Sequence, residues 1–270
     1  MGRRIDPATI AGWCLAAALV LFLVGPILTV IIYAFAEQWR YPNLLPTRWG
    51  FRFWNVMLGR ADVAEAISIS LAIAFTATTL SALICWPAAY AFARLRFPGR
   101  QPLLMAFLAA QAFPKFALFI AIAVVFLRFD LVGTFWGVVL VQLVNTLLFM
   151  IWIPTAAFRA IPPALEEAAL DLGASRLRVF IEVTLPQAAP ALAASYILAF
   201  VGTLFEVDAS LLIGAPTIRP MPILMLSLSA QVVVQHAAVL CVILWVPAFA
   251  LLLLSRRLMS ARTIASGLGA

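Results

Sequence analysis

The chain has 270 residues, 65% of them hydrophobic and 11% charged, with a net charge of +7. A water-exposed globular surface carries about twice that charged share, so composition excludes a soluble domain and places the chain in a lipid bilayer. The arginines flank apolar runs and make no continuous patch, so the positive charge sets membrane orientation and excludes a nucleic-acid partner.

A helix needs roughly 20 apolar residues to cross the hydrocarbon core. Six segments reach that length: about 10–35, 64–92, 103–127, 132–158, 188–213 and 237–254. No regular succession of alternating short strands accompanies them, so the predicted fold is all-α, a single membrane domain over 1–270. The first segment is too long for a cleaved signal peptide and no small-residue cleavage site closes it. Residues 39–60 are rich in Trp, Tyr, Pro and Arg. Trp39, Tyr41, Trp49 and Trp54 suit a membrane–water interface, so this loop either anchors at that interface or meets a partner outside. The apolar run 221–234 is too short to cross and reads as re-entrant or interfacial.

With the N-terminus in the cytoplasm, eleven basic residues fall inside: Arg3, Arg4, Arg94, Arg96, Arg100, Arg159, Arg176, Arg178, Arg256, Arg257 and Arg262. Six fall outside: Arg40, Arg48, Arg52, Arg60, Arg128 and Arg219. The bias places both termini in the cytoplasm. Cys14, Cys85 and Cys241 lie in apolar spans without metal-ligand spacing and read as small buried hydrophobes.

Residues 159–186, RAIPPALEEAALDLGASRLRVFIEVTLP, form the polar stretch that stands out. Pro162 and Pro163 open a helix, and Glu166 and Glu167 in its first turn suit the helix dipole. Leu165, Ala168, Ala169 and Leu172 recur at helical spacing as one apolar face. Gly173 ends the helix. Ser175 caps a second short helix whose less polar face carries Leu177, Phe180, Ile181 and Thr184. Pro186 then precedes span five. Periodicity alone predicts two short amphipathic helices joined by a glycine bend, serving as a membrane-surface pair or as a docking element.

The spacing within this stretch supplies a resemblance. Glu167-Ala168-Ala169, three residues, Gly173, nine residues, then Val183-Thr184-Leu185-Pro186 is similar to the signature loop of binding-protein-dependent ATP-binding-cassette importer permeases. Val183 departs from the usual isoleucine. The resemblance implies that 159–186 holds a coupling helix seated in a cleft of a separate ATPase, with Glu166, Glu167, Ala168, Ala169, Asp171, Gly173 and Ala174 as the coupling set. Within it, Glu167 makes the polar contact, the alanines allow close packing and Gly173 makes the turn. It also implies a bacterial inner-membrane protein with no catalytic residues or cofactor of its own. ATP and Mg²⁺ would sit on an ATPase dimer, beside a second permease subunit and an extracytoplasmic binding protein. The chain carries no phosphate-binding loop of the Walker type, in keeping with a separate ATPase.

Within the spans, Lys115, Glu206 and Asp208 are ionisable groups at or near membrane depth, where they usually face a cavity or one another. The reading is that they line the passage; the plain alternative for Lys115 is snorkelling or a structural pair with an acid. Gln111, Gln142 and Asn145 read as amides bridging helices, and His236 as an interfacial residue. If Glu206 and Asp208 dominate, the cargo is cationic; if Lys115 dominates, it is anionic. Residues 39–54 and FEVDASLLIG at 205–214 resemble the polyamine, phosphonate and ferric-iron branch, so a polyamine is the lead, with sugar, phosphonate, thiamine and ferric iron as alternatives. The C-terminal SARTIASGLGA resembles maltose-type sugar permeases. An ion-coupled secondary transporter is the rival from another class; it would need an ion site and often shows inverted repeats.

Overall fold

A computed structural model describes the backbone of residues 7–40, 42–230 and 233–267, and side chains within 12–40, 42–109, 111–230 and 233–254. Arg3, Arg4, Tyr41 and the side chains of Arg256, Arg257, Arg262 and the rest of the C-terminal tail lie outside the described residues. Internal contacts group the chain into two units, one of residues 1–64 with 225–245, the other of 65–224 with 246–270.

In the first unit, α1 (Pro7–Phe35) is apolar all round and none of its membrane window is buried against the rest of the chain. Its sequence has no polar face to turn to water, which is the signature of a lipid-embedded helix. Cys14 is exposed on it, which corrects the expectation that all three cysteines are buried; Cys85 is buried and Cys241 half-buried. The loop after α1 holds an antiparallel hairpin that the sequence did not announce, β1 (Ala36–Gln38) with β2 (Arg48–Trp49). Glu37 fixes it by an ion pair to Arg48 at 2.9 Å and by accepting the Arg52 amide. A short helix, α2 (Arg52–Leu58), follows, and Phe35 stacks on Trp54 at 5.3 Å.

In the second unit, α3 (Ala61–Arg94), α6 (Phe135–Ala160) and α8 (Arg176–Leu204) are long enough to cross a bilayer, and α10 (Val234–Gly267) leaves the first unit to end in the second. Ala74, Ala77 and Ala89 on α3 are fully buried. Small residues let membrane helices approach closely, where packing rather than water exclusion drives association. Ser81 and Thr146 share a hydrogen bond of 2.6 Å, and Thr79 and Tyr196 one of 2.8 Å.

Two predicted spans change shape. Span 103–127 is broken into α4 (Arg100–Ala110) and α5 (Lys115–Leu127). Proline has no amide hydrogen to donate and disfavours helical backbone in the residue before it, so Pro114 closes off α4 and restarts the helix as α5. Span 188–213 begins earlier and ends earlier: α8 runs unbroken from Arg176 to Leu204, through a π turn at Phe180–Thr184, and a separate π turn covers Ser210–Gly214. The predicted second surface helix is therefore the first turns of α8. Pro186 sits at the second residue after the π turn, where the widened ladder already lacks a donor to lose. The run 221–234 yields α9 (Met221–Ser229), nine residues and too short to cross.

Thr134 caps α6 by accepting the Gly137 amide at 3.0 Å. A Cβ at Gly137 would overlap the Leu131 carbonyl oxygen, a backbone atom with little room to move. Gly137→Ala should cost about 1–3 kcal/mol, read as a lowered thermal midpoint in detergent. Gly25→Ala, with open space around it, should leave that midpoint in place.

Candidate coupling element and polar cavity

The candidate coupling element, 159–186, is built by local chain chemistry. Ile161 is extended, as a residue before proline must be, and ends α6. Pro162 and Pro163 then start α7 (Pro163–Asp171). Gly173 adopts φ +87, its amide donates to Leu170 at 2.8 Å, and the Ala174 amide reaches back to Ala169 at 3.1 Å. That pair of bonds is a Schellman stop, which needs a left-handed residue and hence glycine. Ser175 caps α8, its hydroxyl accepting the Arg178 amide.

The two adjacent glutamates face opposite ways. Glu167 is exposed, while Glu166 turns inward with a side chain 12% exposed. Glu166 Oε1 accepts from Arg94 Nε at 3.0 Å, Arg94 Nη2 at 2.9 Å and Thr184 Oγ1 at 2.8 Å. Its Oε2 accepts from Tyr90 at 3.4 Å, and Arg94 Nη2 also donates to the Ile161 carbonyl at 2.9 Å. Glu166 thus holds α7 to the chain's own body, whereas the resemblance grouped it with outward coupling residues. Arg94 lies 72 residues away in sequence, and nothing local to it signals the pairing.

Ala168, Asp171 and Gly173 are exposed, and Ala169 and Ala174 half-buried. Leu165 is 45% and Leu172 90% exposed, so the predicted apolar face of α7 is largely bare, with Ala169 its half-buried member. The predicted face of the second helix divides: Thr184 is buried and Phe180 packs on Tyr90 at 4.9 Å, while Leu177 and Ile181 point outward.

The second feature is a cavity of about 540 Å³ whose lining includes Lys115, Asn145, Phe149, Gly202, Glu206 and Asp208. All three ionisable residues predicted within the spans meet in it. Lys115 stands at the first residue of α5, where the helix dipole disfavours a cation. Its Nζ donates to Asn145 Oδ1 at 2.7 Å. Asn145 Nδ2 donates to Gln142 Oε1 at 3.4 Å, and Gln142 Nε2 donates to Glu206 Oε2 at 3.3 Å. An ammonium and a carboxylate thus end one directional amide relay, and the two amides do more than bridge helices. Glu206 also accepts the Asp208 amide at 3.0 Å and the Ala209 amide at 2.9 Å, capping the turn beyond α8. Gln111 lies apart, donating to the Val144 carbonyl. His236 is half-buried in the first unit, its ring against Phe53 at 5.4 Å.

Residues 83–264 match the family described as binding-protein-dependent transport system inner membrane component. The chain belongs to that family. It is thus a permease subunit of ATP-binding-cassette importers, and the secondary-transporter rival is set aside. Among permease relatives, a diacetylchitobiose uptake system permease protein from Streptomyces coelicolor is 31% identical over 67% of this chain and 61% of its own length. A maltose/maltodextrin transport system permease protein from Vibrio vulnificus is 30% identical over 78% of this chain and 77% of its own. A putrescine transport system permease protein from Escherichia coli is 26% identical over 76% of this chain and 75% of its own. The permease fold itself is shared with a solved bacterial transporter that imports the acidic polysaccharide alginate, at TM-score 0.77 and 17% identity, covering 95% of this chain and 98% of that one. Sugar permeases outnumber the putrescine permease among these relatives, so the family comparison does not favour the polyamine lead.

Proposed function

We propose that this chain is one of two permease subunits around a solute passage, that α7 is the docking helix for an ATPase subunit, and that the cargo is a neutral, hydroxyl-rich solute of the carbohydrate kind. The largely bare apolar face of α7, held rigidly by Glu166, carries the docking reading. An exposed helix face of leucine and alanine in a loop between spans is a surface awaiting a partner. ATP and Mg²⁺ belong to that partner. Nucleotide-driven closure of two ATPase subunits would move the seated helices and rock the spans between inward-open and outward-open states. On this reading 159–186 faces the cytoplasm, with both termini on the same side.

The polar cavity supports the solute class. Lys115 and Glu206 carry opposite charges into one space and are joined through Asn145 and Gln142. Asp208 adds a second carboxylate to the same lining, and the amide and carboxylate groups together suit the hydroxyls of a neutral solute. The relatives that carry diacetylchitobiose and maltodextrin point the same way. Affinity-tagged chain, isolated from its native membranes, should retain both an ATPase and a second permease through size exclusion. In proteoliposomes the complex should take up maltodextrin in preference to putrescine when ATP is supplied. Recovery of the chain without any ATPase would overturn the docking assignment, and preferential putrescine uptake would overturn the solute class.

A further inference from the structure

Five groups from distant points of the chain converge where α7 meets the spans: Arg94 at the end of α3, Tyr90 one turn earlier, the Ile161 carbonyl, Glu166 and Thr184. The two charged side chains are 13% and 12% exposed, so neither is a solvated surface ion. Thr184, fully buried, lies in the π turn Phe180–Thr184 of α8. Widening the ladder there shifts the following side chains round the helix axis, and π turns recur where a helix must present a group off its regular face. Tyr90 is held by ring contacts to Phe158 at 5.5 Å and Phe180 at 4.9 Å. α3, α7, α8 and the extended Ile161 that follows α6 therefore all take part in holding one carboxylate or the arginine that pairs with it.

We infer that Arg94–Glu166, completed by Tyr90 and Thr184, is a clasp that locks the docking helix to the spans, so that displacement of α7 moves α3 and α8 with it. The inference rests on the docking role proposed for α7 and assigns the positioning residues that make it transmit. A helix of nine residues is marginal by itself in water, and the Schellman stop at Gly173 fixes only its far end. The clasp fixes its near end. Glu167, one residue on, stays free to face a partner. Arg94 in the last turn of α3 also complements that helix's dipole, so the same cation serves two elements.

Hydrogen exchange on the full chain in lipid nanodiscs, and on its complex with the ATPase, tests the clasp. In Glu166→Gln, amides of 164–171 should exchange about tenfold faster while those of 185–204 stay unchanged. Arg94→Lys should show a smaller rise, because one ammonium cannot replace the two guanidinium bonds to Oε1. The double variant Arg94→Glu with Glu166→Arg should recover part of the protection. In the complex, kcat for ATP hydrolysis per assembled particle should fall several-fold with KM for ATP unchanged, since the nucleotide site lies on another chain. Unchanged exchange in 164–171 would overturn the clasp. So would an equal rise across α3, α7 and α8, or failure of both single variants to fold, since either makes the pair a packing element of the whole unit. If the wild-type chain binds no ATPase, the docking proposal fails while exchange on the chain alone still decides the clasp.

Discussion

A chain carrying Ala168→Glu and Leu172→Glu should lose its ATPase partner while keeping its own thermal midpoint. Ala168 on α7 and Leu172 at its C-terminal cap are both exposed, Leu172 at 90%. Fully burying a leucine side chain contributes about 1.5–3 kcal/mol, and each 1.4 kcal/mol is about tenfold in affinity. Burying a carboxylate at a helix–partner contact would add a desolvation cost. Together the changes should weaken association by at least about a hundredfold, enough to strip the ATPase during size exclusion at micromolar concentration. Glu166 remains clasped in this variant, so the helix itself stays in place. Retention of the ATPase at wild-type stoichiometry would remove α7 from the docking surface.

The second large effect concerns the relay. Lys115→Met removes the donor that satisfies Asn145, which is 9% exposed, and leaves Glu206 without its distant counter-charge. Leaving a buried polar group unpaired costs about 1–3 kcal/mol, so transport should fall about five- to a hundredfold. Glu206→Gln keeps the shape but loses an acceptor for the Asp208 or Ala209 amide, and should cost a similar amount. Comparable losses are what a neutral solute requires. A cationic cargo would make Glu206→Gln by far the worse change and leave Lys115→Met near or above wild type; an anionic cargo would reverse the order. Measuring maltodextrin and putrescine uptake for both variants reads out all of these patterns.

Much of the coupling element was legible because its determinants are local. Pro162, Pro163, Gly173 and Ser175 act through the backbone within a few residues of themselves, and each does what its chemistry predicts. Lys115, Glu206 and Asp208 line one cavity, a meeting that only the fold brings about. The hairpin of 36–38 with 48–49 escaped notice because its strands are two or three residues long, too short to display alternation. The break at Pro114 is not visible in hydropathy, which runs on through 103–127 whether the helix is bent or broken.

By itself the sequence determined the lipid environment, the helical class, the family and the stop and start points of α7, because hydropathy, proline and glycine act over a few residues. Only the tertiary structure decided that Glu166 and Glu167 have opposite tasks. It also decided that Arg94 is the partner of Glu166, and that Asn145 and Gln142 connect Lys115 to Glu206. Those pairings span 72 and 64 residues or fewer. Which side chains meet across such distances depends on the rotation of each helix about its axis, and that rotation is set by packing against its neighbours.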